Sequence, residues 1–235
     1  LTYLGAQADD WFVHLGYLRP HAPLFAPAPY NRQYDPADVP MPVRAETRAI
    51  EARQHPYLAY ELSHLEGMPD YRLQPRDDPA HYDSDLRQLR ASYYGLVSKV
   101  DMFLGRIIAQ LKENGTYDRT LIVVTSDHAT QLGDHWMYSK RGYFDQSFHV
   151  PMIVRDPRRA ANGARGQVVD AFTEGVDVMP TILDWLGRDM PRTCEGASLL
   201  PFLAGETPGG WRTEAHYEYD FRPNYDVADT APPFG

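Results

Sequence analysis

The sequence predicts an α/β fold in which helices are layered against a mostly parallel sheet, and three features carry that prediction. Leu121-Ile122-Val123-Val124 is an unbroken apolar, β-branched run, the pattern of a strand covered on both faces. Just before it, Asp83–Asn114 repeats apolar residues at helical spacing. After it, strand-like and helix-like segments alternate through the second half of the chain, as in a layered sandwich.

Taken in order, Asp9–Leu18 (DDWFVHLGYL) is rich in aromatic and β-branched residues and reads as a first strand. It runs into Arg19-Pro20-His21-Ala22-Pro23-Leu24, where two prolines impose an extended, non-helical path. His21 is therefore pinned just past a strand end. An ordinary surface-loop histidine is the plainer reading of that residue alone.

Residues 26–82 are rich in Pro, Tyr and Arg and weakly periodic, which excludes a continuous helix or a central strand over APAPYNRQYDPADVPMP. Arg44–Leu65 reads as two short helices broken at Pro56. So long an irregular stretch reads as an insertion over the active-site face or a homo-oligomer surface. The helix that follows can be capped by Asp83 or Ser84 and stopped by Gly115, a better account of Asn114-Gly115-Thr116 than a glycosylation acceptor. Val150–Arg155 and Val168–Phe172 read as strands, with a polar loop at 156–167 between them. Asp177–Gly187 reads as a helix, with Pro180 in its first turn and Gly187 closing it. The aromatic, acidic tail at 216–235 reads as the start of a further C-terminal segment, incomplete here, beyond a domain over 1–215.

Composition narrows the function. The chain has 235 residues, a formal net charge of −9, 43% hydrophobic and 23% charged residues, ordinary for a globular protein and too acidic for a general nucleic-acid binder. No stretch is long and apolar enough to span a bilayer, and no signal peptide is visible at a start that lacks Met. Cys194 is the single cysteine, so no disulfide forms within the chain, which agrees with a reducing, cytoplasmic setting.

The chemistry gathers after the central strand, in Ser126-Asp127-His128 and the polar loop to Lys140. In open α/β sheets ligands bind outside the carboxyl ends of the strands. Asp127 offers a hard anionic oxygen and His128 a borderline nitrogen, a mix suited to Mn²⁺, Zn²⁺ or Fe²⁺ more than Ca²⁺. Lys140 is a movable point charge that can stabilise the oxygens of a phosphate or sulfate ester. On the pair alone, the alternative that Asp127 caps a turn and His128 packs a loop is equally open.

A wider pattern tips that balance. VVTSDHATQLGDHWMYSKRGYFDQSFHVPMIVRDPRR resembles the C-terminal signature of the sulfatase family within the alkaline phosphatase superfamily. FVHLGYLRPHAPLF resembles the family's H-x-P-F/L segment and VDVMPTILDWLG its D-x-x-P-T helix, in the family's order. RPHAPLFAPAPY and HYEYDFR are most similar to the branch of phosphonate monoester hydrolases and related arylsulfatases. The resemblance implies a three-layer sandwich with a mostly parallel central sheet, whose N-terminal strands are missing here, so that the chain corresponds to the middle and C-terminal part.

It further implies Asp127 and His128 as ligands of one divalent ion, Mn²⁺, Ca²⁺, Mg²⁺ or Zn²⁺. Lys140, thirteen positions after Asp127, matches the lysine on the transferring group's oxygens. His21 matches the histidine near the leaving-group oxygen, and His135 in Gly-Asp-His supports the ligands or is structural. Ala129 stands where the family usually has Gly. The family's nucleophile, a formylglycine made from the first residue of C/S-x-P-x-R, has no match, since Cys194 lies in Cys-Glu-Gly-Ala-Ser. The paired N-terminal aspartates have no match either. The expectation is a hydrolase of small sulfate, phosphonate or phosphate esters whose nucleophile lies upstream of Leu1. The alternatives are a Ser/Thr-nucleophile phosphodiesterase or phosphatase of the same superfamily, and a non-catalytic interaction module.

Overall fold

A computed structural model of the chain describes residues 10–64, 79–216 and 218. The chain forms two compact units, one of Leu1–Gln110, His128–His149 and Tyr219–Gly235, the other of Leu111–Asp127 and Val150–Glu218.

In the first unit the irregular stretch contains two short helices, α1 (Arg48–Ala52) and α2 (Pro56–His64). Thr47 caps α1, its hydroxyl accepting the Ile50 N–H at 3.2 Å. Pro56 opens α2, where a missing N–H costs nothing, so the two helices expected on either side of Pro56 both form. Tyr57, Leu58 and Leu62 from α2 pack with Met137 into one core, with Ala52, Trp136 and Phe144 around it. Each such side chain contributes about 1.5–3 kcal/mol by leaving water.

Helix α3 (Pro79–Glu113) begins four residues before the expected Asp83 cap. A proline at the first helical position carries no orphan N–H to satisfy, and the Asp83 carboxylate is engaged instead by Arg44. Leu96 of α3 forms a second core with Leu24 and Leu132. A Cβ on Gly95 would collide with the backbone carbonyl of Tyr30, so glycine there lets the Pro-rich segment lie against the helix. The helix ends as predicted, with Gly115 at φ +68° donating to the Lys112 carbonyl at 3.0 Å.

β1 (Ile122–Thr125) lies in the second unit; in the first, two two-residue strands, β2 (Gln131–Leu132) and β3 (Tyr138–Ser139), pair antiparallel. The turn between them is left-handed at Gly133, His135 and Trp136. The Tyr82 and Tyr138 hydroxyls meet at 2.5 Å. Burial, then Tyr82 itself, pushes the Tyr138 phenol far above its ordinary range. A single-turn helix, α4 (Asp145–Phe148), follows.

In the second unit β1 (Ile122–Thr125) pairs with β4 (Met152–Arg155), Val123 opposite Val154. This pair is antiparallel, and β1 is only half-buried, so the expected doubly covered parallel strand is not what the described residues contain. Their sheets are both two-stranded and antiparallel. Two other predicted strands do not form. Residues 10–18 and 168–172 carry no regular structure, because a strand needs a neighbour for its N–H and C=O groups and neither segment has one among the described residues. Their apolar side chains, among them Phe12, Leu18 and Val168, stand exposed.

Helix α5 (Val178–Trp185) carries Pro180 in its first turn, and Gly187 ends it at φ +61°. Glu174 and Asp177 form a reciprocal capping box ahead of it. Arg212 ties both carboxylates together, reaching Asp177 at 2.7 Å. The last helix, α6 (Leu200–Leu203), packs Phe202 edge-on against Trp211. Apart from His216 and Glu218, the predicted C-terminal segment lies outside the described residues.

Candidate active site

Asp127 follows the end of β1, and its exposed carboxylate accepts from the Ser126 hydroxyl at 3.4 Å. His128, the next residue, is half-buried and its Nδ1 lies 2.8 Å from the Ala129 carbonyl oxygen. A carbonyl can only accept, so Nδ1 carries the proton and Nε2 the lone pair. Lys140 Nζ lies 2.7 Å from that Nε2.

His21 joins them from the rigid Pro-rich segment. Its ring meets the His128 ring edge to face, centroids 6.0 Å apart. The His21 Nδ1 donates to the Ala22 carbonyl at 2.9 Å, so its Nε2 is likewise the nitrogen left for chemistry. Arg19 donates to the His21 and Pro23 carbonyls, holding the turn that presents the ring. His21, His128 and Lys140, more than a hundred residues apart at the extremes, thus come together.

His135 does not join them. Its Nδ1 lies 3.0 Å from Glu51 Oε1, and its ring stacks on Phe144 with centroids 3.8 Å apart.

Residues 1–188 match the sulfatase family model. The chain belongs to the sulfatase family. It is 46% identical over 223 residues to the multifunctional alkaline phosphatase superfamily protein PehA of Trinickia caryophylli, covering 94% of this chain and 43% of that protein. It is 28% identical over 214 residues to an arylsulfatase of Clostridium perfringens, covering 91% of this chain and 41% of that one. Among solved structures, the phosphonate monoester hydrolase of Agrobacterium radiobacter superposes with a TM-score of 0.86 at 42% identity, covering 97% of this chain and 44% of its own. A phosphonate monoester hydrolase of Silicibacter pomeroyi gives 0.75 at 46% identity, covering 87% and 39%. The chain spans less than half the length of each of these relatives.

In this sulfatase-family chain, Asp127 and His128 are each, by residue type, suited to a divalent cation. The Asp127 carboxylate is hard and anionic, and a histidine whose Nδ1–H is tied to a carbonyl has the tautomer a metal-bound imidazole needs; in this structure its Nε2 lone pair accepts from Lys140 instead, so a metal would take that lone pair only after the ammonium leaves it. Among the described residues no group of three or more His, Cys, Asp and Glu side chains gathers.

Three residues that motif reading passed over surround the loop. Ser147, fully buried, accepts the Ala129 N–H at 2.8 Å through its carbonyl, and its hydroxyl donates to the Arg141 carbonyl at 3.3 Å. It thereby joins the neighbours of His128 and Lys140. Glu51 and Glu61 are buried carboxylates on α1 and α2. Their one sequence signal is an acid inside short apolar runs, Ala-Ile-Glu-Ala and Ala-Tyr-Glu-Leu.

Proposed function

We propose that this sulfatase-family chain is the metal-and-charge half of a hydrolase acting on small sulfate or phosphonate esters. The observation that carries the reading is the meeting of Lys140 Nζ with His128 Nε2 at 2.7 Å beside the His21 ring. Names of the relatives, an arylsulfatase and phosphonate monoester hydrolases, support the ester class.

Asp127 and His128 would hold one divalent ion, Mn²⁺, Ca²⁺, Mg²⁺ or Zn²⁺, His128 through the Nε2 that Lys140 releases when its ammonium turns to the ester. When bound, that ion supplies Lewis-acid activation of the nucleophile and neutralises charge on the ester oxygens. Lys140 donates to a non-bridging oxygen as negative charge accumulates there, an interaction stronger in the transition state than in the ground state. His21, protonated, donates from Nε2 to the departing oxygen, its Nδ1–H being committed to Ala22. The nucleophile, a formylglycine in this reading, is supplied by a C/S-x-P-x-R segment upstream of Leu1, which also completes the parallel sheet of the three-layer sandwich. The small acidic-ester substrate, the absence of nucleic-acid and membrane partners, a homo-oligomer surface on residues 26–82 and a cytoplasmic setting are part of the same reading. No helix among the described residues is long and apolar enough to cross a membrane.

The full-length protein is tested with chromogenic aryl sulfate and aryl phosphonate monoesters before and after exhaustive chelation. Turnover that disappears on chelation and returns with Mn²⁺, Ca²⁺, Mg²⁺ or Zn²⁺ is expected. Turnover indifferent to chelation removes the metal, and no turnover of either ester leaves the non-catalytic module as the better account. A Ser or Thr in place of the formylglycine precursor, read from the upstream coding sequence, selects the phosphodiesterase-like alternative.

A further inference from the structure

Lys140 follows a segment whose regular structure is one 3₁₀ turn, Asp134–Trp136, and the two-residue β3, yet its ammonium must be held within a few tenths of an ångström to act on developing charge. The segment is clamped on both sides by carboxylates from the two short helices of the irregular stretch. On the approach side, Glu51 of α1 accepts from His135 Nδ1 at 3.0 Å through Oε1 and from the Ala45 N–H at 2.5 Å through Oε2. On the exit side, Glu61 of α2 accepts from the Arg141 guanidinium, next to Lys140, at 2.7 Å. The side chains of Glu51 and Glu61 are 1% and 7% exposed, so these bonds form where an unpaired carboxylate would be heavily penalised.

The backbone between the clamps needs such support. His135 and Trp136 lie at φ +53° and +59°, a left-handed conformation that side-chain-bearing residues rarely adopt. The 43–45 segment reinforces the hold: the His135 N–H donates to the Val43 carbonyl at 2.8 Å and the Trp136 indole to the Ala45 carbonyl at 2.9 Å.

We infer that Glu51 and Glu61 are positioning residues that fix the 134–141 segment and with it the Lys140 ammonium. The part of the irregular stretch that carries α1 and α2 is then a template for the loop. The inference rests on the proposed role of Lys140 and is tested so that the two fail separately. Glu51→Gln would set an amide N–H₂ against one of the two donors that the carboxylate now accepts. Glu61→Gln would remove the charge that holds Arg141.

Hydrogen exchange of the full-length protein reads the anchoring without activity. Faster exchange over residues 134–141 in both variants, with β1, β4 and α5 unchanged, is expected; unchanged exchange over 134–141 overturns the inference. A double-mutant cycle with Lys140→Ala reads the transmission. Each glutamine variant should lower kcat on the order of 10- to 100-fold with KM little changed, and should add almost nothing to Lys140→Ala. Fully additive losses would show a merely structural role and overturn it. Lys140→Ala at wild-type turnover sinks the functional reading of Lys140, while the exchange result still decides the anchoring. Glu51→Asp, which keeps the charge, should recover more turnover than Glu51→Gln; the reverse order counts against the carboxylate clamp.

Discussion

Lys140 Nζ donates to His128 Nε2 across 2.7 Å, although the two residues come from opposite ends of a hairpin-like loop. Ser147 bonds to the neighbours of both, and the His128 Nδ1–H donates to the Ala129 carbonyl, which turns Nε2 toward the ammonium. In the proposed function, the Lys140 ammonium is the cation offered to the anionic ester.

Lys140→Ala in the full-length protein should lower kcat by roughly 10²–10³-fold, the cost of losing one donor to developing oxyanion charge. The side chain is exposed, so the fold should be unaffected. Steady-state kinetics beside a circular dichroism spectrum checks both halves, and unaltered kinetics removes Lys140 from the site.

His128→Ala should reduce bound divalent metal by at least about tenfold, since a ligand lost costs no less than a supporting residue lost. Elemental analysis of the purified variant measures this directly. Full metal occupancy would refute the ligand assignment.

Gly95→Ala should destabilise the protein despite alanine's advantage in a helix of about 1 kcal/mol. The added methyl meets the Tyr30 carbonyl, which is backbone and cannot swing aside as a side-chain tip could. Overpacking of this kind costs about 1–3 kcal/mol. A denaturant midpoint at or above that of wild type would show that the Pro-rich segment yields.

Asp156 bears on acid stability. Burial alone would raise its pKa, but the Arg158 side chain at 2.7 Å, the Arg158 backbone N–H and the Trp185 indole together hold it below 3.8. A carboxyl depressed by folding contributes stability above its unfolded value and loses it as pH falls through the folded value. Asp156→Asn should therefore cost about 1–3 kcal/mol near neutral pH, and the gap to wild type should shrink below about pH 4. Denaturant unfolding at the two pH values measures it; a gap independent of pH would contradict the charge-based account.

Local sequence was a good guide wherever a local rule governs. The α3 periodicity, the Gly115 and Gly187 stops, Pro56 opening α2 and Pro180 in the first turn of α5 all follow from neighbours within a turn of helix, and all are present. Strands are less legible. Apolar alternation marks a segment able to pair, but pairing is decided by what lies alongside. Residues 10–18 and 168–172 have no partner among the described residues, and β1 runs antiparallel to β4 where a parallel neighbour was expected.

By itself the sequence pointed to the family through ordered motifs between Trp11 and Gly187, and it nominated Asp127, His128, Lys140 and His21 by residue type and by that resemblance; the family model matches residues 1–188. Only the tertiary structure decided that His21, His128 and Lys140 meet, that His135 turns away to Glu51, and that Glu51, Glu61 and Ser147 hold the loop. The physical reason is range. Motif chemistry and helix signals act over a few residues, whereas a buried carboxylate finds its partner across some eighty residues of chain, and nothing in the local pattern at either end specifies the other.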